Sequence, residues 1–337
     1  MEFFGYTLFG TLSGGALIAV AAVIFVIGLV LTIKGGDWFV DSASWFAEAT
    51  GIPKFVVGAT VVSFATTLPE LLVSVRAAMN GSAQLAIGNA VGSVTANTTL
   101  IMGVSLVAMA GIVSRKSFSL KGGLLIAAVI GLTALSFSGS LPTWSAYILW
   151  AIFLVFMISN LIDGKKGAEN DEIDAYEKKE IPSKLFFFII GTASIVFGAE
   201  FLVSSGKTIA SGIGISETII GFTVIALGTS LPELVTTLTA IRKKESSLSV
   251  GNIIGANIID TTLILPLCAV INGKALPVEK INLAFDFPVC ILACAVAIVP
   301  TIIMGRFKKW QGVALLAIYA TYMVLLVLNE TGVVALG

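Results

Sequence analysis

The sequence predicts an all-α polytopic membrane protein with ten transmembrane helices arranged in two inverted five-helix repeats. Three observations predict it: an apolar composition, ten apolar stretches long enough to cross a bilayer, and an internal duplication. Of the 337 residues, 57% are hydrophobic and only 12% are charged, and the mean hydropathy is +1.01. Soluble domains carry about twice this share of charged residues, so the composition argues against a soluble fold.

The charge balance and the missing residue types narrow the function. Lysine plus arginine equals aspartate plus glutamate at 20 each, which argues against a nucleic-acid partner, because such partners select basic surfaces. The chain has no histidine, which removes the commonest transition-metal ligand and every histidine-based catalytic triad. Cys268, Cys290 and Cys294 lie in apolar runs without a CxxC spacing and predict neither a disulfide nor a metal framework.

The spans follow from length and hydropathy, since a hydrocarbon core about 30 Å thick needs roughly 20 apolar residues per helix. The predicted spans cover residues 16–34, 54–79, 83–110, 122–138, 143–162, 185–203, 217–241, 247–271, 281–303 and 311–328. The less apolar segment 35–50 predicts an interfacial helix before the second span. The predicted domains are an N-terminal extension over 1–15, a first repeat over 16–162, a cytoplasmic linker over 163–184 and a second repeat over 185–337.

The basic residues orient these spans. With the N-terminus outside, only Arg76, Lys207, Lys274 and Lys280 of the 20 lysines and arginines fall on the outer side. The positive-inside rule therefore places both termini outside the cytoplasm, and an even number of spans agrees. The N-terminus has no basic region before its apolar stretch, which argues against a cleaved signal peptide. The short central loop favours a prokaryotic plasma (inner) membrane, and we expect a monomer.

An internal duplication appears when the chain is shifted by 163 residues. Segment 58–101 then aligns with 221–264 without a gap, and 17 of 44 positions are identical. The aligned motifs are GATVVSFATTLPEL with GFTVIALGTSLPEL, and GNAVGSVTANTTLI with GNIIGANIIDTTLI. The repeated unit is about five spans long, and because five is odd the second copy enters the membrane from the opposite side. Many secondary transporters have this arrangement, with a substrate site where the repeats meet.

Three carboxylates lie deep in the apolar spans, at Glu70, Glu233 and Asp260. Each costs about 2.5–3.5 kcal/mol at a helix centre on insertion scales, so such residues face one another or a watery cavity. Glu70 and Glu233 are equivalent in the two repeats, and Asp260 is equivalent to Asn97. The spacing within each repeat is 27 residues, which brings the four side chains to one level of adjacent helices.

The TTLPE and TSLPE segments predict helix breaks beside the glutamates. Pro69 and Pro232 have no backbone donor and crowd the carbonyl four residues earlier, at Ala65 and Gly228, so carbonyl oxygens are freed. Hydroxyl groups lie one turn before each glutamate, at Thr66, Thr67, Thr229 and Ser230. Carboxylates, carbonyls and hydroxyls without a soft ligand form a site for a hard cation such as Ca²⁺ or Na⁺.

Structural roles are the alternative for each of these residues. The glutamate pair can hold the bundle together, Asp260 and Asn97 can serve interhelical hydrogen bonding, and the hydroxyls can bond back to helix carbonyls. The GxxxG spacing of glycines 88, 92, 251 and 255 favours close helix packing. The acidic run ENDEIDAYE lacks the ligand spacing of an EF-hand loop, so a linker is favoured over a calcium sensor.

The two repeated motif pairs, TTLPE with GNAVGSVTAN and GTSLPE with GNIIGANIID, resemble the cation/Ca²⁺ exchanger superfamily and most closely its prokaryotic sodium/calcium exchanger branch. The resemblance covers the chain from about residue 28 onward. It implies ten helices in two inverted halves, with a row of cation sites between the second, third, seventh and eighth spans. It also implies a secondary-active antiporter that exchanges Na⁺ for Ca²⁺ by alternating access.

The resemblance also implies a role for individual positions. The calcium site would comprise the carboxylates of Glu70 and Glu233 with the backbone carbonyls of Thr66 and Thr229. The flanking sodium sites would involve Ser63, Thr67, Ser93, Ala226 and Ser230. Asn97 and Asp260 would complete a middle position that holds a water or a proton. Ala256 stands where the first repeat has Ser93, so one flanking sodium site loses a ligand.

Other functions are weighed against this one. A calcium/proton antiporter is the alternative, because three clustered carboxylates cannot all stay ionised without a cation. The inverted repeat argues against a channel or a passive structural protein, and no nucleophile, base or cofactor motif accompanies the carboxylates to suggest an enzyme. We therefore expect no enzymatic activity and no cofactor, with Ca²⁺, Na⁺ and the lipid bilayer as partners, and with H⁺ as the coupling ion under the calcium/proton alternative.

Overall fold

The computed structural model describes residues 14–81, 83–109, 115–170, 178–212, 228, 230–330 and 332–335. The helices are α1 Gly14–Thr50, α2 Lys54–Val57, α3 Ser63–Thr66, α4 Leu68–Met79, α5 Ala83–Ala96, α6 Met102–Ala108, α7 Arg115–Ser136, α8 Ser145–Asn170, α9 Ile181–Gly212, α10 Leu231–Arg242, α11 Ser246–Ile259, α12 Leu265–Ile271, α13 Phe287–Met304 and α14 Lys309–Glu330. Wider π-helical turns occupy Gly58–Val62, Asn97–Ile101, Asp260–Ile264 and Asn282–Asp286, and Lys178–Glu180 forms a 3₁₀ turn. Two short strands, β1 Ser140–Leu141 and β2 Leu276–Pro277, pair antiparallel and join two loops.

The described helices agree with a polytopic membrane protein. When helices joined by a π-helical turn are counted as one, eight are long and apolar enough to cross a bilayer, and a ninth span results if the bent pair Lys54–Thr66 and Leu68–Met79 is taken as one. The predicted span 217–241 lies partly outside the described residues, and its described part is α10. The fold is therefore helical and membrane-spanning in the part of the chain that the structure describes.

The predicted interfacial helix over 35–50 is wrong, because α1 is one continuous helix from Gly14 to Thr50. At 1.5 Å per residue it is about 55 Å long, well over the thickness of a hydrocarbon core. Gly35 and Gly36 do not end the helix, since both pack against other helices: a Cβ on Gly35 would lie 2.7 Å from the Ser194 Cβ. Tertiary packing thus overrides the weak helix propensity of the glycine pair.

Helices α1 and α9 pack against each other along much of their lengths. Glycines make the contact possible, because a Cβ on Gly28 would lie 2.9 Å from the Gly198 carbonyl oxygen and one on Gly191 would lie 2.9 Å from the Gly35 carbonyl oxygen. The residue numbers rise along one helix as they fall along the other, so the two helices are antiparallel. Small residues at such crossings let membrane helices approach backbone to backbone.

Helix α11 makes the second close approach, against the segment that begins with α2. A Cβ on Gly251 would lie 2.3 Å from the Phe55 carbonyl oxygen, and one on Gly255 would lie 2.5 Å from that of Ala59. The close packing expected of this GxxxG pair is therefore confirmed. For Gly88 and Gly92 an added Cβ meets no described atom within 4 Å.

The duplication extends to the local structure. The bounds of α10, α11 and α12 are those of α4, α5 and α6 shifted by 163 residues. The π-helical turns Asn97–Ile101 and Asp260–Ile264 obey the same shift. Single π-helical turns inside helices are frequent at functional sites, and here each begins at a polar residue singled out from the sequence.

Candidate cation site

The predicted helix break of the first repeat is present, and in the second repeat a helix begins at the equivalent position. Thr67 has φ −85° and ψ 3° between α3 and α4, and the helix axis bends by 47° there. Ser230 has nearly the same backbone angles, φ −85° and ψ 7°, directly before α10. A helix begins directly after Thr67 and directly after Ser230, so Glu70 and Glu233 lie in a first helical turn. Carboxylates are favoured there because unpaired N–H groups and the helix dipole face them.

The three predicted carboxylates come together in the interior. Glu70, Glu233 and Asp260 are each at most 1% exposed. Glu70 lies within electrostatic range of the other two, and Asp260 within range of Glu233. No described ion pair includes any of them. Three acidic groups therefore share one buried region without a basic partner in the described part of the chain.

Many polar atoms of this region have no hydrogen-bond partner among the described residues. They are both carboxylate oxygens of Glu70 and of Asp260, Oε2 of Glu233, Oγ of Ser230, and both Oδ1 and Nδ2 of Asn97. A buried polar group left unpaired costs about 1–3 kcal/mol, and more when it is charged. Such a concentration of unpaired oxygens is what a site built to coordinate a cation requires, because the cation supplies the missing interactions.

Hydroxyl groups complete the surroundings of the carboxylates. Thr67 Oγ1 donates at 2.6 Å to the Ser63 carbonyl and lies 3.3 Å from Glu233 Oε1. Ser63 Oγ donates at 3.0 Å to the Thr60 carbonyl, and Ser93 lies beside Glu70. Back-bonding to helix carbonyls, the structural alternative for these hydroxyls, therefore occurs at Ser63, Thr66 and Thr67, but Thr67 also contacts the second glutamate.

The carboxylates do not make the site by themselves. Among the described residues, no three acidic or cysteine side chains converge closely enough to hold one metal ion between them. A cation bound here needs hydroxyl, amide or backbone carbonyl oxygens as well, which is the coordination that Ca²⁺ and Na⁺ accept. Two predicted contributors of this kind, Ala226 and Thr229, lie outside the described residues.

Two asparagines of the site region were not predicted as functional residues. Thr66 Oγ1 donates at 3.1 Å to Oδ1 of Asn252, and Asn89 Nδ2 donates at 3.3 Å to the Glu70 carbonyl. Both belong to the GN dipeptides of the repeats, and each follows its glutamate by 19 residues. That constant spacing from the carboxylate was the signal available in the sequence.

Apolar helices of spanning length around a buried cluster lined with oxygen atoms define a membrane ion transporter. A family model described as "Sodium/calcium exchanger protein" matches residues 20–161 and 183–328. The sodium/calcium exchanger MaX1 of Methanosarcina acetivorans is 30% identical, over 92% of this chain and 99% of its own. The inner membrane protein YrbG of Escherichia coli is 32% identical, over 81% and 86%.

The solved structures give the same result. A structure of the sodium–calcium exchanger NCX_Mj is similar with a TM-score of 0.79 and 30% sequence identity, over 91% of this chain and 99% of that one. The chain belongs to the sodium/calcium exchanger family. It is a membrane antiporter, so the expectation of a transporter in place of an enzyme agrees with its family.

Proposed function

We propose that the protein is a secondary-active antiporter that exchanges Na⁺ for Ca²⁺ by alternating access. The observation that carries this proposal is the buried group of unpaired oxygens around Glu70, Glu233 and Asp260. Several negative groups close together favour a divalent cation, and Ca²⁺ accepts irregular oxygen cages. The name of the Methanosarcina relative, a sodium/calcium exchanger, supports both transported ions.

The proposed ligands follow the repeat. Ca²⁺ is bound by the carboxylates of Glu70 and Glu233 and by the carbonyls of Thr66 and Thr229. Residues at the flanking Na⁺ sites are Ser63, Thr67, Ser93, Ala226 and Ser230. Asn97 and Asp260 hold a water or a proton at the middle position. Among the residues that the structure describes, all of these side chains are buried.

We further propose ten helices in two inverted repeats, over 16–162 and 185–337. The crossing of α1 and α9 supports this arrangement. The 163-residue shift relates Gly28 to Gly191 and Gly35 to Gly198, but in space Gly28 meets Gly198 and Gly35 meets Gly191. A two-fold axis in the membrane plane between inverted copies produces this exchange of partners.

The proposed orientation places both termini outside the cytoplasm and the 163–184 linker inside. Contacts between distant loops support it, since residues assigned to one side meet each other. Lys54 Nζ lies 2.7 Å from Glu245 Oε1, both on the proposed inner side, whereas β1 and β2 pair on the outer side. The name of the Escherichia coli relative, an inner membrane protein, supports a plasma membrane location. We propose that the monomer is the transporting unit.

A calcium/proton antiporter is the second candidate, and the same cluster favours it. Three buried carboxylates without a basic partner in the described part of the chain require positive charge on the return step, and protons supply it as well as Na⁺ does. Ala256 adds to this possibility, because it is fully buried and offers no hydroxyl where the first repeat has Ser93.

The experiment that separates the two is ⁴⁵Ca²⁺ uptake into proteoliposomes loaded with Na⁺, K⁺ or choline at equal pH on both sides. Sodium/calcium exchange predicts uptake only with internal Na⁺. Uptake that ignores Na⁺ and follows an imposed pH gradient assigns the protein to the proton-coupled class. Proteoliposomes with Glu233→Gln provide the blank, and uptake by this variant equal to wild type would refute the proposed site.

A further inference from the structure

The bend at Thr67 is held from both sides by asparagines of the two repeats. On its N-terminal side, Thr66 at the end of α3 donates to Oδ1 of Asn252, which lies on α11. On its C-terminal side, Asn89 on α5 donates to the carbonyl of Glu70 and, at 2.9 Å, to Ser74 Oγ. Each half of the bent helix is thus tied to a different neighbouring helix.

The tie from Asn252 starts from a fixed point. Gly251 and Gly255 bring α11 to within backbone contact of Phe55 and Ala59, so α11 has little freedom to shift along the segment before the bend. Asn252 is wholly buried, and its Nδ2 has no partner among the described residues. The bond from Thr66 is therefore the one described interaction through which this side chain acts on the bend.

The tie from Asn89 acts directly on the residue that carries a carboxylate. Its Nδ2 has two acceptors, the Glu70 carbonyl and the Ser74 hydroxyl, one turn apart on α4. These bonds fix the rotation of the first turn of α4 about its own axis. That rotation determines where the Glu70 carboxylate points relative to Glu233.

We propose that Asn89 and Asn252 are positioning residues that together hold the bend at Thr67 and so set the distances among Thr66, Glu70 and Glu233. The proposal rests on the proposed function, since it assigns these distances to a Ca²⁺ site. An amide suits both ties because it donates and accepts without adding a fourth negative charge to the cluster. Neither asparagine contacts the cation; each acts through the helix that it holds.

The test is a double-mutant cycle between Thr66→Val and Asn252→Ala, with Ca²⁺-dependent uptake measured over a range of Ca²⁺ concentrations. Thr66→Val keeps the backbone carbonyl but removes the hydroxyl, which also lies 3.3 Å from the Ser63 carbonyl oxygen and beside Glu233, so only the coupling energy of the cycle reports the bond to Asn252. A single hydrogen bond is worth about 0.5–1.5 kcal/mol, so each single change should raise the half-saturating Ca²⁺ concentration about 2- to 13-fold. The double variant should equal the single variants within about twofold, and Thr66→Ser should restore wild-type behaviour.

A matched control lies on the same helix. Asn257 is also buried on α11 and donates at 2.8 Å to Thr98 Oγ1, and it has no described hydrogen bond to either side of the bend. Asn257→Ala removes an equivalent buried bond, so it measures the cost of helix packing alone. Its half-saturating Ca²⁺ concentration should stay within about twofold of wild type. The melting temperature in detergent without Ca²⁺ should fall by similar amounts in Asn252→Ala and Asn257→Ala.

Variants of Asn89 test the other side of the bend independently. Asn89→Asp replaces the donor with a carboxylate that faces the Glu70 carbonyl. It should therefore raise the half-saturating Ca²⁺ concentration more than Asn89→Ala does. Asn89→Ala and Asn252→Ala should be additive, because they release different sides of the bend. A half-saturating concentration in Asn252→Ala equal to that of Asn257→Ala would overturn the positioning role. Absence of Ca²⁺ exchange in the wild type would instead overturn the proposed function.

Discussion

Among the described residues, fully buried charged side chains lie in two regions, which differ in charge balance. In the first region, Lys121 on α7 is fully buried, and its Nζ lies 2.8 Å from Asp163 Oδ2 and 3.0 Å from Ser117 Oγ. Ser117 also donates to Asp163 at 2.6 Å, and the ammonium lies 5.0 Å from the centre of the Phe55 ring. Every charged or donor group in this region has a complementary neighbour.

The second region is the cluster of Glu70, Glu233 and Asp260. Its carboxylate oxygens are mostly unpaired, and no described ion pair reaches them. Buried charge therefore has two roles in this molecule. Where the protein itself compensates a buried charge, removal of one partner destabilises the fold, whereas a charge that the protein leaves uncompensated is available to a transported cation.

The largest expected effect is on transport, from removing one uncompensated charge. Glu70→Gln and Glu233→Gln each delete a proposed Ca²⁺ ligand and should lower ⁴⁵Ca²⁺ uptake at least about 100-fold, since a buried charged interaction lost from binding costs 3 kcal/mol or more. Neither change leaves a new charge unpaired, so both variants should fold. Proteoliposome uptake normalised to folded protein measures the effect.

The same variants should also differ from wild type in stability. Without transported ions, each Gln variant relieves repulsion within the cluster and should melt about 1–2 °C above wild type, the shift expected of about 1 kcal/mol in a chain of 337 residues. Added Ca²⁺ should raise the melting temperature of the wild type by mass action and leave the variants unchanged. Melting temperatures that fall in both Gln variants would assign the glutamates a structural role.

The next effect is on folding, from breaking the compensated pair. Lys121→Met leaves Asp163 without its ammonium, and because Asp163 is about one-third exposed we expect a loss of about 2–3 kcal/mol, less than for a fully buried pair. The double variant Lys121→Met with Asp163→Leu should recover most of the lost free energy of unfolding. Chemical or thermal unfolding measures the loss, and Ca²⁺ affinity per folded molecule should not change. A Ca²⁺ affinity that falls together with stability would mean that the Lys121–Asp163 pair also acts on the proposed cation site.

A smaller effect is expected from Asp260→Asn, which makes the second repeat match Asn97. The change removes one negative charge but keeps an oxygen and leaves both proposed Ca²⁺ glutamates. Uptake of ⁴⁵Ca²⁺ should fall about tenfold, the cost of one charge-assisted interaction, and any component driven by a pH gradient should disappear. Retention of that component would exclude Asp260 as the group that holds a proton at the middle position.

The sequence predicted the burial of the carboxylates and the duplicated local structure better than it predicted the helix limits. The carboxylates, the proline breaks and the equivalence of Asn97 with Asp260 were visible because a charge in an apolar span is costly and a duplication repeats it. The length of α1 was not visible, because Gly35 and Gly36 reduce helix propensity locally and only their contacts with distant helices compensate for it. The hydrogen bonds of Asn89 were hidden for the same reason, since its acceptors lie on another helix.

The smallest effect is expected where charges are paired but exposed. In the C-terminal part of α1, Asp41 Oδ1 lies 2.5 Å from Lys243 Nζ, and Asp37 pairs with Arg242. Asp41 is 61% exposed, so water screens its charge, and exposed pairs contribute about 0–1 kcal/mol. Asp41→Asn should therefore change the melting temperature by less than about 2 °C at 0.15 M salt.

The Asp41 pair also tests whether compensation alone decides the role of a charge. It joins α1 to the end of α10, which carries Glu233 at its other end. If the pair has no role in stability or transport, Asp41→Asn leaves both the melting temperature and the rate of Ca²⁺ uptake unchanged. Raising the salt to 0.5 M then changes neither quantity. A change in uptake rate at unchanged stability would mean that the pair restrains the motion of α1 against α10. In that case a charge that is paired but exposed would also serve transport, and charge balance alone would not distinguish structural from functional ion pairs in this molecule.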